Sequence, residues 1–256
     1  MNILFTICGR AGSKGIRNKN IANFLDYPLP YYTLSAIDLF LEKNPLVDND
    51  IVVNTDSREL MRLFENNRLR PTWIVQRKKE LGQDGTPKIA VIRNSLEEME
   101  RRTKKRYDMV VDLDITSPLR KVTDIENIIE KKKNASCDVV FSVVEARRNP
   151  YFNMVKRNGE KYERVIASTF HTRQEAPELY DMNASLYAYS PQFLVSGKNI
   201  FDGVCQVIKM VDTGVLDLDH VHDLEFMEVI AKYLFKKEAD FGEVRTNLSE
   251  KIKEVK

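Results

Sequence analysis

The chain has 256 residues, 43% of them hydrophobic and 30% charged, which is the composition of an ordinary globular protein with a sizeable core. Its formal net charge is only +2, so no global basic field indicates nucleic-acid binding. The three cysteines are widely spaced and show neither a disulfide framework nor a zinc-site spacing. No apolar run approaches the length of a membrane span, and no signal-peptide pattern opens the sequence. We therefore expect a cytoplasmic protein that binds neither nucleic acid nor membrane.

Strand-like and helix-like runs alternate along most of the chain. Apolar, β-rich runs predict strands at 2–8, 50–54, 72–76, 107–113 and 137–144. Helical periodicity predicts helices at 30–43, 57–67, 87–105, 122–134 and 222–237. Such alternation indicates right-handed βαβ units, and it predicts an α/β fold with a mostly parallel sheet covered on both faces.

The alternation stops after Val144. The next stretch predicts a hairpin around 157–159 and no long helix, and strand-like runs return at 184–190 and 205–211. We therefore predict three regions: a main domain of 1–144 and 183–240, an inserted region of 145–182, and a charged tail of 241–256. The end of the tail, from 245 onward, is expected to fray.

The most informative stretch follows the first predicted strand. Residues 8–20 read Cys-Gly-Arg-Ala-Gly-Ser-Lys-Gly-Ile-Arg-Asn-Lys-Asn, with three glycines, four basic residues and a serine. Glycine lets the backbone turn sharply and lets a ligand approach the amides, and successive amides in such a turn form an anion-binding concavity. This loop is therefore predicted to bind a polyphosphate at the carboxyl end of a strand. Its order is neither a Walker loop nor a dinucleotide fingerprint, and a solvated basic turn is the alternative interpretation.

Polar segments also follow the later predicted strands, and in a parallel sheet these ends converge on one crevice. The turn at 54–57 either caps a helix or contacts a ligand. The loop at 76–86 is rich in lysine and glycine and is either part of the site or a solvated surface loop. Asp112 and Asp114 are two residues apart on an extended segment, so their carboxylates point the same way, as a metal or sugar-hydroxyl site would need.

A second acidic pair lies near the end of the chain. Asp217 and Asp219 alternate with leucines, which places both carboxylates on one side while the leucines are buried. Mg²⁺ prefers oxygen ligands and binds through one or two carboxylates plus substrate phosphates, so this pair is a candidate magnesium site. An edge strand with a polar face is the alternative. His220 and His222 also allow a zinc site, but no third ligand is evident nearby.

The first loop resembles the N-terminal signature of the acylneuraminate cytidylyltransferases, which are the CMP-sialic acid synthetases and their relatives. That signature runs Ala-Arg-x-x-Ser-Lys-Gly, with a Lys-Asn pair a few residues later. Further matches follow in the family's order over roughly residues 1–235, and this ordered series is more specific than any single motif. They are Arg77 with Glu80-Leu81 and Asp84, the run Thr116-Ser117-Pro118-Leu119-Arg120, the pair Arg173-Gln174, and Asp217-Leu218-Asp219.

The resemblance implies a three-layer, Rossmann-like, mostly parallel sheet of the nucleotidyltransferase type with a small inserted dimerisation subdomain. It implies a homodimer that converts CTP and a nonulosonic acid, a sialic-acid-like keto-acid sugar, into a CMP-sugar and pyrophosphate. The implied catalytic residues are Arg10, Lys14 and Asp217, and the implied cofactor is Mg²⁺ on Asp217 and Asp219. The implied nucleotide contacts are Arg10, Gly12, Ser13, Lys14, Lys19, Asn20, Arg77 and Asp84. The implied sugar contacts are Asp114, Thr116, Ser117, Arg173, Gln174 and Asn183.

Two positions depart from the family pattern. Asp114 lies where the family usually has glutamine, and Asp181 lies where it has arginine, so the resemblance leaves the identity of the sugar open. The residues also allow two other functions. One is a GT-A-type nucleotide-sugar glycosyltransferase, suggested by the Asp-x-Asp at 112–114, and the other is a nucleotide-sensing dimer module without turnover. The general base is not assigned by the sequence.

Overall fold

The computed structural model of the chain describes residues 1–12, 15–16, 18–172, 174–214, 218 and 220–252. In chain order its strands are β1 (Asn2–Gly9), β2 (Asn23–Phe24), β3 (Tyr27–Pro28), β4 (Asp48–Thr55), β5 (Trp73–Gln76), β6 (Met109–Leu113), β7 (Val139–Glu145), β8 (Val155–Asn158), β9 (Lys161–Arg164), β10 (Tyr180–Tyr189) and β11 (Cys205–Lys209). Its α-helices are α1 (Leu29–Lys43), α2 (Arg58–Glu65), α3 (Lys88–Thr103), α4 (Val122–Asn134), α5 (Pro191–Val195), α6 (Val221–Lys237) and α7 (Ala239–Lys251). Short 3₁₀ turns occupy Lys19–Ile21, Lys79–Gly82 and Ile200–Asp202.

A seven-stranded sheet forms the centre of the molecule, in the order β11-β7-β10-β6-β1-β4-β5. Its pairings are parallel except for β10, which runs antiparallel to both β6 and β7. The predicted α/β fold with a mostly parallel sheet is therefore confirmed. Two small antiparallel hairpins, β2–β3 and β8–β9, lie outside this sheet. The second is the hairpin predicted around 157–159.

Helices cover both faces of the sheet, as the alternating pattern predicts. In β1, Ile3, Phe5 and Ile7 belong to the core shared with α1, α4, α6 and α7, whereas Leu4 and Cys8 belong to the core shared with α3 and α5. A strand that is buried on both faces reads as a continuous apolar run, which is why β1 could be recognised from its sequence. Within the described ranges, no helix combines the length and the apolar character that a membrane span needs.

The prediction that the tail frays from 245 onward is wrong for residues 245–251. They belong to α7, in which Phe241, Val244 and Leu248 are buried against the core. These side chains recur at helical spacing, but α7 is held by α1, about two hundred residues earlier in the chain, and charged neighbours conceal the pattern. Residues 253–256 lie outside the described residues.

The proposed division of the chain stays a prediction. The central sheet itself extends to Glu145 at the end of β7 and resumes at Tyr180 at the start of β10. Between them the β8–β9 hairpin is mostly exposed, with Val155 at 63% and Tyr162 at 70% of their full accessibility.

Candidate functional site

A cavity of about 230 Å³ opens where the carboxyl ends of β1, β4, β5 and β6 meet. This is the edge at which open α/β sheets bind their ligands. Its wall includes five of the residues implied as nucleotide contacts, namely Arg10, Lys19, Asn20, Arg77 and Asp84. Asp114 and Thr116, implied as sugar contacts, line the same cavity. The structure thus brings together segments that lie up to a hundred residues apart in the chain.

The end of β1 is closely packed against two buried side chains at Gly9. A Cβ atom on Gly9 would lie 2.6 Å from Cδ2 of Leu60 and 2.9 Å from Cδ1 of Ile115. Because contacts that short do not occur, a side chain here would force the terminal methyl groups of Leu60 and Ile115 to shift. Gly9 therefore sets the position from which the next residue, Arg10, reaches the cavity.

Contacts from two other segments, and one contact within the loop itself, hold the first loop. Arg10 Nη1 lies 2.6 Å from Asp84 Oδ1, and Asn20 donates its amide to the Arg10 carbonyl at 2.9 Å. The Ala11 N–H donates to Asp56 Oδ1 at 2.7 Å. Asp56 therefore holds the loop, while the adjacent Ser57 caps α2 by accepting the Leu60 N–H at 3.2 Å.

Two further residues implied in this loop, Ser13 and Lys14, lie outside the described residues. Gly12, also implied as a nucleotide contact, is exposed in the loop at φ +71°.

Arg77 provides a second, more deeply buried cation. Its side chain donates to Asn54 twice, from Nε to Oδ1 at 3.2 Å and from Nη2 to the backbone carbonyl at 2.8 Å. Only 8% of the residue is exposed, and burial lowers the pKa of its guanidinium, although an arginine stays protonated in proteins. Arg77 is therefore a fixed positive charge in the cavity wall at the end of β5.

Lys88, the first residue of α3, is a cavity residue that sequence reasoning missed. Its Nζ lies 2.7 Å from Asp114 Oδ2 and 2.8 Å from Asp112 Oδ2. Burial alone would lower the pKa of Lys88, but the two carboxylates outweigh it and raise that pKa well above its usual range. A signal was present in the sequence, because a cation in the first turn of a helix opposes the helix dipole and needs a local compensation.

Asp112 and Asp114 are committed to contacts within the chain. Asp112 is fully buried and accepts a hydrogen bond from Thr6 at 2.7 Å. Asp114 accepts the backbone N–H and the hydroxyl of Thr116 at 2.8 and 2.7 Å. Burial raises the pKa of Asp114, but Lys88 and Thr116 outweigh it and lower that pKa to about 2. The Lys88 ammonium occupies the place between the carboxylates that an Asp-x-Asp metal site would need, which counts against the glycosyltransferase alternative.

The residues implied as sugar contacts do not all share one cavity. Asp114 and Thr116 line the cavity described above, whereas Ser117 and Asn183 line a smaller hollow together with Ser185 and Met210. Gln174 lines a third hollow, beside Tyr180 and Glu145. Arg173 lies outside the described residues. The structure therefore groups the implied nucleotide residues better than the implied sugar residues.

The acidic pair implied for Mg²⁺, Asp217 and Asp219, lies outside the described residues. Leu218 between them is fully buried, as the leucines of this segment are expected to be. Over the part of the chain that the structure describes, no group of three His, Cys, Asp or Glu side chains converges, so the zinc alternative gains no support. His220 instead begins α6, where its N–H donates to the Asp223 carboxylate at 2.6 Å.

This combination of fold and cavity is that of a nucleotidyltransferase. A family model described as "Cytidylyltransferase" matches residues 4–239, and the chain belongs to this family of enzymes. It is similar to the post-translational flagellin modification protein B of Campylobacter coli, with 33% identity over 93% of this chain and 99% of that protein. It is also similar to the CMP-N,N'-diacetyllegionaminic acid synthase of Campylobacter jejuni, with 31% identity over 89% of this chain and 94% of that protein.

Solved structures agree on the fold. The structure of a CMP:2-keto-3-deoxy-manno-octonic acid synthetase complexed with CTP superposes with a TM-score of 0.63 over 91% of this chain and 99% of that chain. The sequence identity is only 13%, so this likeness supports the architecture and not the substrate. The nucleotidyltransferase fold implied by the first-loop motif is thus confirmed.

Proposed function

We propose that this chain transfers CMP from CTP to a nonulosonic acid, releasing pyrophosphate. The observation that carries the proposal is the convergence of Arg10, Lys19 and Arg77 on one cavity at the carboxyl edge of the sheet. Three cations in the cavity wall suit a triphosphate, because negative charge develops on the leaving pyrophosphate as the reaction proceeds. Family membership supports the cytidylyl group as the part that is transferred.

In the proposed reaction, the anomeric hydroxyl oxygen of the sugar attacks the α-phosphorus of CTP in line. The bond from the α-phosphorus to the oxygen that bridges it to the β-phosphorus breaks, and pyrophosphate leaves with that oxygen. Arg10, Lys14 and Lys19 would neutralise the phosphates, and positioning would supply most of the rate, so no serine or histidine nucleophile is needed. The hydroxyl proton leaves to a base that remains unassigned.

Mg²⁺ is the proposed cofactor, with Asp217 and Asp219 as its ligands. When bound, it would supply positive charge to the phosphate oxygens and orient the leaving group. The burial of Leu218 supports this assignment, because the alternating sequence of this segment predicts that its leucines are buried.

The sugar class is proposed from the relatives. The similarity to a CMP-N,N'-diacetyllegionaminic acid synthase makes a legionaminic-acid-type sugar the first candidate. Sialic acid and pseudaminic acid are the other nonulosonic acids to compare. Asp114, in place of the family's usual glutamine, is a carboxylate paired with Lys88, so the cavity wall presents a charged pair where an amide is usual.

We also propose that the active protein is a homodimer. Val155 and Tyr162 on the β8–β9 hairpin are largely exposed in the single chain, and apolar side chains of this size favour burial against a second copy. Light scattering on the purified protein tests this directly. A monomeric mass at micromolar concentration would contradict it.

The test of the function is a matrix of the four ribonucleoside triphosphates against sialic, legionaminic and pseudaminic acids, with pyrophosphate release as the readout. We expect release only when CTP and a nonulosonic acid are both present. Consumption of a nucleotide sugar without pyrophosphate release would favour the glycosyltransferase alternative. Tight nucleotide binding without turnover on any sugar would favour the sensing module.

A further inference from the structure

Lys88 is a lysine whose position is set by long-range contacts. Its ammonium lies between two carboxylates on β6 and just after it, at 2.8 Å from Asp112 and 2.7 Å from Asp114. Each carboxylate is itself fixed, Asp112 by the Thr6 hydroxyl and Asp114 by Thr116. A flexible side chain is thereby held at one point of the cavity wall, which removes the entropy cost of ordering it when a ligand binds.

At least one hydrogen of this ammonium is left over. A lysine ammonium has three N–H donors; it donates to Asp114 Oδ2 at 2.7 Å, and Asp112 Oδ2 lies 2.8 Å away as its ion-pair partner. Among the residues that the structure describes, no third acceptor is found for it. The side chain is one third exposed, at 33%, and it lines the cavity that holds Arg10 and Arg77. The remaining donor is therefore available to a ligand.

The charge of the cluster indicates which ligand group it suits. Two carboxylates and one ammonium leave a net negative charge of one on these three side chains, so they attract a phosphate less than the cations elsewhere in the cavity wall do. The neighbouring Cys8 adds no charge, because burial, with Asp112 beside it, raises the pKa of its thiol well above the usual range. Val91 and Leu81 give the same part of the cavity apolar surface. A neutral oxygen on a flat, partly apolar group fits this environment better than an anion.

We propose that Lys88 is a specificity-determining residue, which donates its remaining N–H to a neutral oxygen of the bound nucleoside, either a carbonyl of the base or a hydroxyl of the ribose. The phosphates belong to the other side of the cavity, at Arg10 and Lys19. The inference rests on the proposed function, because it takes CTP as the occupant of the cavity.

The test separates the effect of losing the Lys88 N–H donor from the effect of changing the net charge of the cluster. Lys88→Met removes the donor and leaves two uncompensated carboxylates, whereas Lys88→Met with Asp114→Asn removes the donor at the wild-type net charge. Asp114→Asn alone is the matched control that keeps the ammonium. Dissociation constants for CTP and for inorganic tripolyphosphate are measured by calorimetry on the four proteins, and circular dichroism confirms that each is folded.

We expect the double variant to bind CTP about tenfold or more weakly than either the wild type or Asp114→Asn, because a hydrogen bond from a charged donor is lost. Tripolyphosphate binding by the double variant is expected to stay within about twofold of the wild-type value, because the net charge is restored. Equal CTP binding by these proteins, or a parallel loss of CTP and tripolyphosphate, would overturn the inference.

A second arm locates the acceptor by comparing the wild type with the double variant. Weaker binding of 2′-deoxy-CTP or 3′-deoxy-CTP by the wild type, absent in the double variant, would assign a ribose hydroxyl, and the same pattern with 2-thio-CTP would assign the base carbonyl. If none of these analogues loses affinity, the inference is wrong whatever the variants do. If the wild type does not bind CTP at all, the proposed function is wrong as well. If the wild type turns over CTP and the Lys88 variants bind CTP as tightly as it does, only the role of Lys88 is wrong.

Discussion

Two buried aspartates, Asp38 and Asp112, each pair with a lysine from a distant part of the chain. Asp38 on α1 accepts a hydrogen bond from Arg70 at 2.6 Å and another from Asn247 at 2.9 Å, and it pairs with Lys251. Asp112 on β6 accepts a hydrogen bond from Thr6 and pairs with Lys88. Both aspartates are at most 1% exposed.

The clusters differ in where their partners come from and in what they leave unpaired. The partners of Asp38 come from α7 and from the segment before β5, so this cluster joins distant parts of the chain. Both carboxylate oxygens of Asp38 have partners. The cluster at Lys88 lies on a cavity wall and keeps one donor toward the cavity. The same chemistry therefore serves stability at Asp38 and, in our proposal, recognition at Lys88.

The largest effect is expected on the functional side of this comparison, at the proposed metal pair. Asp217→Asn should lower kcat by about 10³-fold, because one charged oxygen ligand is lost from the cation that offsets the phosphate charge. Asp212→Asn is the matched control, since Asp212 lies five residues earlier and pairs with Arg147 at 2.6 Å. A pyrophosphate-release assay at saturating CTP and Mg²⁺ measures both. An unchanged rate for Asp217→Asn would refute the metal assignment.

The next largest effect is a loss of folding stability when the Asp38 cluster is broken. Asp38→Ala should lower the free energy of unfolding by about 3 kcal/mol, because it leaves the cations of Arg70 and Lys251 without their buried partner. Urea denaturation measures the change, and kcat at low temperature should stay at the wild-type value. Glu243→Ala, which breaks the more exposed pair with Lys43, should cost less than about 1 kcal/mol. A drop in kcat without a drop in stability would reverse the proposed division of roles.

A pH series separates the contribution of Asp114 from other carboxylates. Lys88 and Thr116 lower the pKa of Asp114 from 3.8 to about 2 despite its burial, so its ionised form stabilises the folded state at pH values above 4. That contribution, about 2 kcal/mol, is lost as the pH falls from about 4 to about 2. The stability difference between wild type and Asp114→Asn, taken from urea unfolding, should shrink by that amount over this range. A difference that does not change with pH would contradict the pairing with Lys88.

The smallest effect is expected at Asp56, which holds the first loop. Asp56→Ala removes the acceptor of the Ala11 N–H and should raise KM for CTP about fivefold, the equivalent of about 1 kcal/mol, with kcat unchanged. Ser57→Ala is the adjacent control, because it removes the cap of α2 and should cost about 1 kcal/mol of stability without changing KM. If both variants change KM equally, the loop contact of Asp56 has no separate role.

Local patterns predicted most of the fold. The apolar run of β1, the alternation of strands with helices, and the hairpin around Gly159 all depend on residues close together in sequence. The sequence predicts that the turn at 54–57 caps a helix or contacts a ligand, and in the structure Ser57 caps α2. The general preference for parallel βαβ units predicts only part of the sheet. It does not predict that β10 lies between β6 and β7 and runs antiparallel to both.

The features that could not be predicted from the sequence depend on contacts between distant residues. The packing of α7 on α1 includes the pair between Asp38 and Lys251, which lie near opposite ends of the chain. The place of Lys88 in the cavity rests on Asp112 and Asp114, more than twenty residues away. Asn183, which lines a different hollow from the main cavity, lies where the pairing of β10 with β7 shifts register between Met182 and Tyr187, and no local pattern predicts that shift.

The central claim is that the cavity holds CTP while a sugar hydroxyl attacks its α-phosphorus. The most direct measurement follows a radioactive phosphate, placed at the α position in one sample of CTP and at the γ position in another, during incubation with Mg²⁺ and a legionaminic-acid-type sugar. We predict that the α label appears in the sugar product and the γ label in pyrophosphate. Recovery of the α label only as free nucleotide, with no labelled sugar, would contradict the account.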